Sequence, residues 1–157
     1  MPTEYKGKLS GAGLRIAIVV SKFNEFITDN LLKSALDELD KLGVADSDVT
    51  VAWAPGSLEM PLLAKSFCES GKADAVICLG AVIRGETDHY QHVAAGTARG
   101  IGDVARHSKV PVIFGVLTVD TLEQAINRAG AKAGNRGANS ARAAIEAVSV
   151  LRQIKES

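Results

Sequence analysis

The chain is short of several things, and each shortage narrows what it can be. It has two cysteines, Cys68 and Cys78, without C-x-x-C spacing. A disulfide framework is therefore not expected, and a reducing, cytoplasmic setting is the default. Both thiols are expected to be small buried hydrophobes. There is no excess of either charge, with 18 Lys and Arg against 18 Asp and Glu. That balance argues against a nucleic acid or an anionic membrane as the main partner. No apolar run is long enough to span a bilayer, and the polar stretch from Met1 to Lys8 lacks a signal-peptide core. Aromatics make up 4% of the residues, so Ala, Val, Ile and Leu must build the core. No repeat, low-complexity tract or linker interrupts the pattern. A length of 157 residues fits one domain with a substantial core. The expected division is an N-terminal arm over 1–13 and an α/β body over 14–157.

What is present is an alternation of short apolar runs with longer amphipathic ones. Thr3–Leu9 is a candidate short strand in the arm. Arg15–Val20, Val49–Ala54, Ala73–Ile83 and Val110–Thr118 are continuous apolar runs of strand length. Asn24–Leu42 carries apolar residues at helical spacing and stops at Gly43. Further helices are expected over Ser57–Ser70, Thr87–His107, Thr121–Ala133 and Ala138–Ile154, with a break at Gly134–Gly137. Strands buried on both faces read as unbroken apolar runs. The order therefore predicts a three-layer α/β/α sandwich on a four-stranded parallel sheet. Ligands of such sheets bind beyond the carboxyl ends of the strands. The segments to inspect are Ser21–Asn24, Pro55–Glu59, Gly80–His89 and Phe114–Asp120.

Familiar nucleotide signals are missing from those ends. There is no P-loop, and Gly11-Ala-Gly13 precedes the first strand, where it cannot cradle a pyrophosphate. The positions after strands one and three lack the carboxylates of a phospho-acceptor domain. The third strand instead runs into Gly85, Glu86 and Thr87, where unpaired N–H groups of a helix start favour an anion. Acidic residues there also suit the helix dipole alone. His89 is expected in the first turn, with a side chain suited to proton transfer or simply satisfied at a helix start. His89 and His92 share a face, but spacing suggests no third metal ligand. Arg128 is a helical arginine that a solvated face would equally explain. Phe23, just past a strand, and Phe114, within one, are candidates for the core or for stacking on a flat heterocycle.

Five motifs then carry a resemblance over nearly the whole chain. Lys22-Phe-Asn-Glu-Phe-Ile-Thr28, Trp53-Ala-Pro-Gly-Ser-Leu-Glu-Met-Pro61 and Leu79-Gly-Ala-Val-Ile-Arg-Gly-Glu-Thr-Asp-His-Tyr90 are three of them. Pro111-Val-Ile-Phe-Gly-Val-Leu-Thr118 and the run from Gln124 to Gly137 complete the set. In this order and spacing the chain resembles the 6,7-dimethyl-8-ribityllumazine synthases, transferases of riboflavin biosynthesis. The resemblance implies a flavodoxin-like fold, with an N-terminal strand that pairs with a neighbouring subunit. It implies condensation of 5-amino-6-(D-ribitylamino)uracil with 3,4-dihydroxy-2-butanone 4-phosphate, without metal or organic cofactor. Phe23 would stack on the pyrimidine, and Ser57, Leu58 and Glu59 would line the ribityl chain. Ala81, Val82 and Ile83 would offer backbone groups, and Phe114 would come from a neighbour. Gly85, Glu86, Thr87 and Arg128 would hold phosphate, and His89 would transfer protons.

Two departures from the family pattern stand out. Arg136 replaces the frequent Lys of an Asn-Lys-Gly motif, and Leu58 stands where Phe is common. These leave substrate contact by Arg136 or Lys132 open and suggest looser packing around the ribityl chain. The implied partners are small-molecule substrates and copies of the chain itself, with no nucleic acid and no membrane. A homopentamer is expected. The kink at 130–137, without an insertion, resembles members that close into sixty-subunit icosahedral shells, with riboflavin synthase as a candidate partner. The alternatives are an archaeal-type riboflavin synthase and a non-enzymatic carrier of flavin or lumazine.

Overall fold

A computed structural model describes residues 1–86, 89–130 and 134–157. The apolar runs form β1 (Ile16–Ser21), β2 (Val49–Ala54), β3 (Ala75–Ile83) and β4 (Val112–Val119). All pair in parallel, in the order β2-β1-β3-β4. The helices are α1 (Glu25–Lys41), α2 (Met60–Ser70), α3 (Tyr90–His107), α4 (Leu122–Arg128) and α5 (Arg136–Glu156). This is the expected flavodoxin-like three-layer arrangement.

The two-residue period of a strand explains the layers. On β3, Ile77, Leu79, Ala81 and Ile83 face α1 and α5, where they meet Ile27, Leu31, Ala141 and Ile145. Val76, Cys78 and Val82 face the opposite side and join Met60 and Ala64 of α2 with Ile101 of α3. Every residue of β3 is buried, which is why this run shows no polar alternation. Each large aliphatic buried this way contributes about 1.5–3 kcal/mol, so a core with few aromatics still suffices. Cys78 behaves as expected, and burial pushes its thiol up to about 12. Cys68 departs from expectation: it is only partly buried.

Element ends differ from the sequence expectations for local reasons. The Thr121 hydroxyl does open α4, accepting the Gln124 N–H at 3.1 Å. That helix ends at Arg128 rather than Ala133, because the chain turns at Gly130 with φ 117°. The expected break at Gly134–Gly137 instead contains the start of α5. There Asn135 Oδ1 accepts the Ala138 N–H at 3.1 Å, and a Cβ on Gly137 would collide with the Leu31 carbonyl of α1. Ser57–Glu59 is a 3₁₀ turn leading into α2, and Arg84–Glu86 is another ahead of α3.

The arm forms no strand within this chain. It lies along α5, where Gln153 Nε2 donates to the Lys6 carbonyl at 2.8 Å and the Lys8 N–H donates to Ser149 Oγ at 3.0 Å. An extended segment with no strand beside it finds its backbone partners on side chains instead. Among the described residues, no helix is long and apolar enough to cross a membrane.

Candidate active site

The strand order reverses direction between β1 and β3, and a crevice opens beyond their carboxyl ends at such a point. Phe23 enters it from the loop after β1. The next residue, Asn24, is the sole non-glycine with positive φ among the described residues, at φ 61° and ψ 46°. Asn tolerates this left-handed conformation better than most residues. Its Nδ2 donates to the Ala81 carbonyl of β3 at 2.9 Å. The Lys22 N–H donates to the Ala54 carbonyl at 2.8 Å, and the Phe23 N–H to Ser21 Oγ at 3.2 Å. Held by these bonds, Phe23 remains 48% exposed.

A cavity of about 210 Å³ lies against that ring. Its wall brings Phe23, Ser57, Leu58, Glu59 and Val82 together, along with Pro55, Gly56 and Val93. Ser57 is 4% exposed, and its hydroxyl lies buried with no hydrogen-bond partner among the described residues. Such a group costs about 1–3 kcal/mol unless something satisfies it, so it is a candidate ligand contact. The Glu59 carboxylate folds back over Gly56, where an added Cβ would stand 3.0 Å from Oε1. Ala81 and Ile83 face the opposite side of β3 from Val82 and are buried, so they have only backbone to offer. The volume falls below the roughly 300–1,000 Å³ of ordinary ligand pockets.

The remaining candidates lie around or away from this cavity. Gly85 is exposed in the 3₁₀ turn after β3, which also includes the backbone of Glu86. Thr87 lies outside the described residues, as does Lys132. Arg84 and Asp120 pair at 3.6 Å and join the ends of β3 and β4. His89 precedes the first residue of α3 rather than sitting in its first turn. Its carbonyl accepts the Val93 N–H at 2.9 Å, so it stands one turn above a cavity-lining residue on the same helix face. The His89 and His92 ring centroids are 6.5 Å apart. Among the described residues, no group of three or more His, Cys, Asp or Glu could hold a metal ion.

Phe114 is not at a strand end. It is the third residue of β4 and pairs with Cys78, five residues before the Val119–Ile83 pair. At about 3.3 Å per residue it lies roughly 17 Å short of the carboxyl end. It does not line the cavity of its own chain and is 37% exposed on the edge strand. Arg128 ends α4, exposed, and is not part of the cavity wall either. Arg136 opens α5. Sequence reasoning missed Asn24 and Val93. The signal for Asn24 was an αL-tolerant residue directly after a strand, and for Val93 its four-residue spacing from His89.

Larger depressions lie elsewhere, including one of about 570 Å³ between the N-terminal arm and α5, and two more lie at the other end of the sheet. One of about 550 Å³ sits beside Cys68 and His107, and an apolar one of about 810 Å³ runs along α5 beside Val110 and Pro111. Both are at the amino ends of the strands, away from the crevice. The family model described as 6,7-dimethyl-8-ribityllumazine synthase matches residues 13–152 of the chain.

Proposed function

We propose that this chain, which belongs to the 6,7-dimethyl-8-ribityllumazine synthase family, condenses 5-amino-6-(D-ribitylamino)uracil with 3,4-dihydroxy-2-butanone 4-phosphate. The observation that carries this reading is the meeting of Phe23, Ser57, Glu59 and Val82 in one cavity, with His89 one helical turn away. A flat pyrimidine needs an exposed aromatic face, and Phe23 offers one. A ribityl chain needs hydroxyl partners, and the unpartnered Ser57 Oγ and the Glu59 carboxylate are of the right type.

The chemistry divides among few groups. The ring amine attacks the ketone to give an imine, with loss of water. Phosphate is then eliminated, the enol left behind becomes a ketone, and the second amine condenses with it, losing a second water, to close the new ring. Each step moves a proton, a task for His89. Gly85, Glu86 and Thr87 bind the phosphate, and Arg128 provides a permanent planar charge. Much of the acceleration comes from positioning two already reactive molecules.

The site is completed by a second copy in a homopentamer. The cavity is small for its substrates, and Phe114 and Arg128 both belong to the β4–α4 segment while lining no part of their own chain's cavity. One neighbouring edge can deliver both. The N-terminal arm is free of strand pairing in the single chain and suits augmentation of a neighbour's sheet. Closure of pentamers into a sixty-subunit shell, in the cytoplasm, completes the reading.

The deciding assay mixes purified protein with both substrates and follows lumazine fluorescence. Formation well above the spontaneous rate is expected. No enhancement, or riboflavin formed from lumazine alone, overturns the proposal.

A further inference from the structure

Gly96 and Gly100 lie on the face of α3 that packs against the turn Ser57–Glu59 and α2. A Cβ added to Gly100 would stand 2.6 Å from Cγ of Pro61, a rigid ring. A Cβ added to Gly96 would stand 3.0 Å from Cδ2 of Leu58, the tip of a flexible side chain. Val93, one turn before Gly96, lines the same cavity as Leu58. The absence of a side chain at position 96 thus gives Leu58 room to lean against α3. Leu58 is 53% exposed, so if crowded from behind it has open space on its cavity side. Independently, the buried Ser57 hydroxyl in the adjacent wall has no hydrogen-bond partner among the described residues, and a polar ligand in this cavity would satisfy it.

We propose that Gly96 is a specificity-determining positioning residue: by leaving a gap behind Leu58, it sets the width of the cavity that receives the ribityl-bearing pyrimidine. This rests on the function proposed above. Gly96 touches no reacting atom and acts through Leu58. Its backbone is ordinary helix, which alanine adopts more readily than glycine. A Gly96→Ala chain therefore folds at least as well, while its Leu58 is displaced toward the ligand.

The test compares the wild type with G96A, L58A and the G96A/L58A double variant. Each is followed by thermal melting and by steady-state kinetics in both substrates. G96A should raise KM for the aminouracil about five- to tenfold, with kcat within about twofold. KM for the phosphate substrate should be unchanged, and the melting temperature should not fall. This pattern marks lost uniform binding. In the L58A background the G96A substitution should have no further effect on KM, because the crowded side chain is gone. Wild-type turnover with an unchanged KM in G96A overturns this proposal alone. So does a rise of equal size in the L58A background, or a melting temperature lowered by several degrees, since either would mean that α3 itself has moved. A wild-type chain that forms no lumazine overturns the functional reading and this proposal with it.

Discussion

Asn24 is hydrogen-bonded to Ala81 across 2.9 Å, side-chain amide to main-chain carbonyl, and this ties the loop after β1 to the strand beside it. β1 pairs with β3 only as far as Val20 and Leu79. Beyond that point the Asn24 side chain takes over from the ladder, and Phe23 is fixed as a consequence.

Two substitutions separate the parts Asn24 plays. Asn24→Gly keeps the left-handed conformation but leaves the Ala81 carbonyl without its donor, at about 1–2 kcal/mol. Asn24→Ala loses the donor and adds roughly 1–2 kcal/mol of backbone strain. Denaturant melts should rank wild type, glycine and alanine in that order, with weaker pyrimidine binding in both variants. Equal stability of all three would show that the loop is held by other means.

Ser57 allows stability and function to move in opposite directions. Its hydroxyl is buried without a partner, so Ser57→Ala removes an unsatisfied group and should leave stability unchanged or higher. If a substrate hydroxyl meets Ser57 Oγ, the same change weakens affinity by about 0.5–1.5 kcal/mol, up to roughly tenfold. Calorimetric titration and melting of the same variant check both signs. A destabilised variant with unchanged affinity would assign Ser57 to the fold.

His89 and Arg128 should differ in kind. His89→Ala should slow turnover about 10- to 100-fold, at or below the low end of general acid–base catalysis. Arg128→Ala should be more severe at low concentrations of the phosphate substrate, because the phosphate loses its main counter-charge. Mixing Arg128→Ala with Phe23→Ala chains should give more activity than either variant alone if each site draws on two chains. No recovery in co-assembled oligomers would place Arg128 in its own chain's site.

Asp74 predicts an acid limb of stability. Burial pushes its carboxyl up, but hydrogen bonds from the Arg15 side chain and N–H outweigh that, helped by the charges of Arg15 and Arg152. The net effect holds the carboxyl below its usual range. A depressed folded value means that the stabilisation is present above the ordinary carboxylate pKa of about 3.9 and is lost as pH falls through the folded one. Asp74→Asn should melt lower at neutral pH and lose less on acidification. Parallel pH dependence in the two proteins would contradict this assignment.

The order of strands and helices was legible because burial on two faces leaves an unbroken apolar run, and burial on one leaves a helical stripe. β3 and α1 show this most plainly. The Gln124–Gly137 stretch was less so: Gly130 turns the chain early, and Asn135 with Gly137 begins α5 where a break was expected. Those outcomes depend on a left-handed glycine and on the approach of α5 to Leu31, neither of which leaves a periodic trace. Phe114 reads as an exposed strand residue only once β4 proves to be an edge.

By itself, then, the sequence determined the layers, which follow from periodicity and residue type, and the family, which follows from the resemblance of its five motifs. The tertiary structure alone decided that Phe23, Ser57, Leu58, Glu59 and Val82 share a wall while Phe114 and Arg128 do not. Convergence from separate elements depends on strand order and register, and residues distant in sequence carry no local mark of being neighbours.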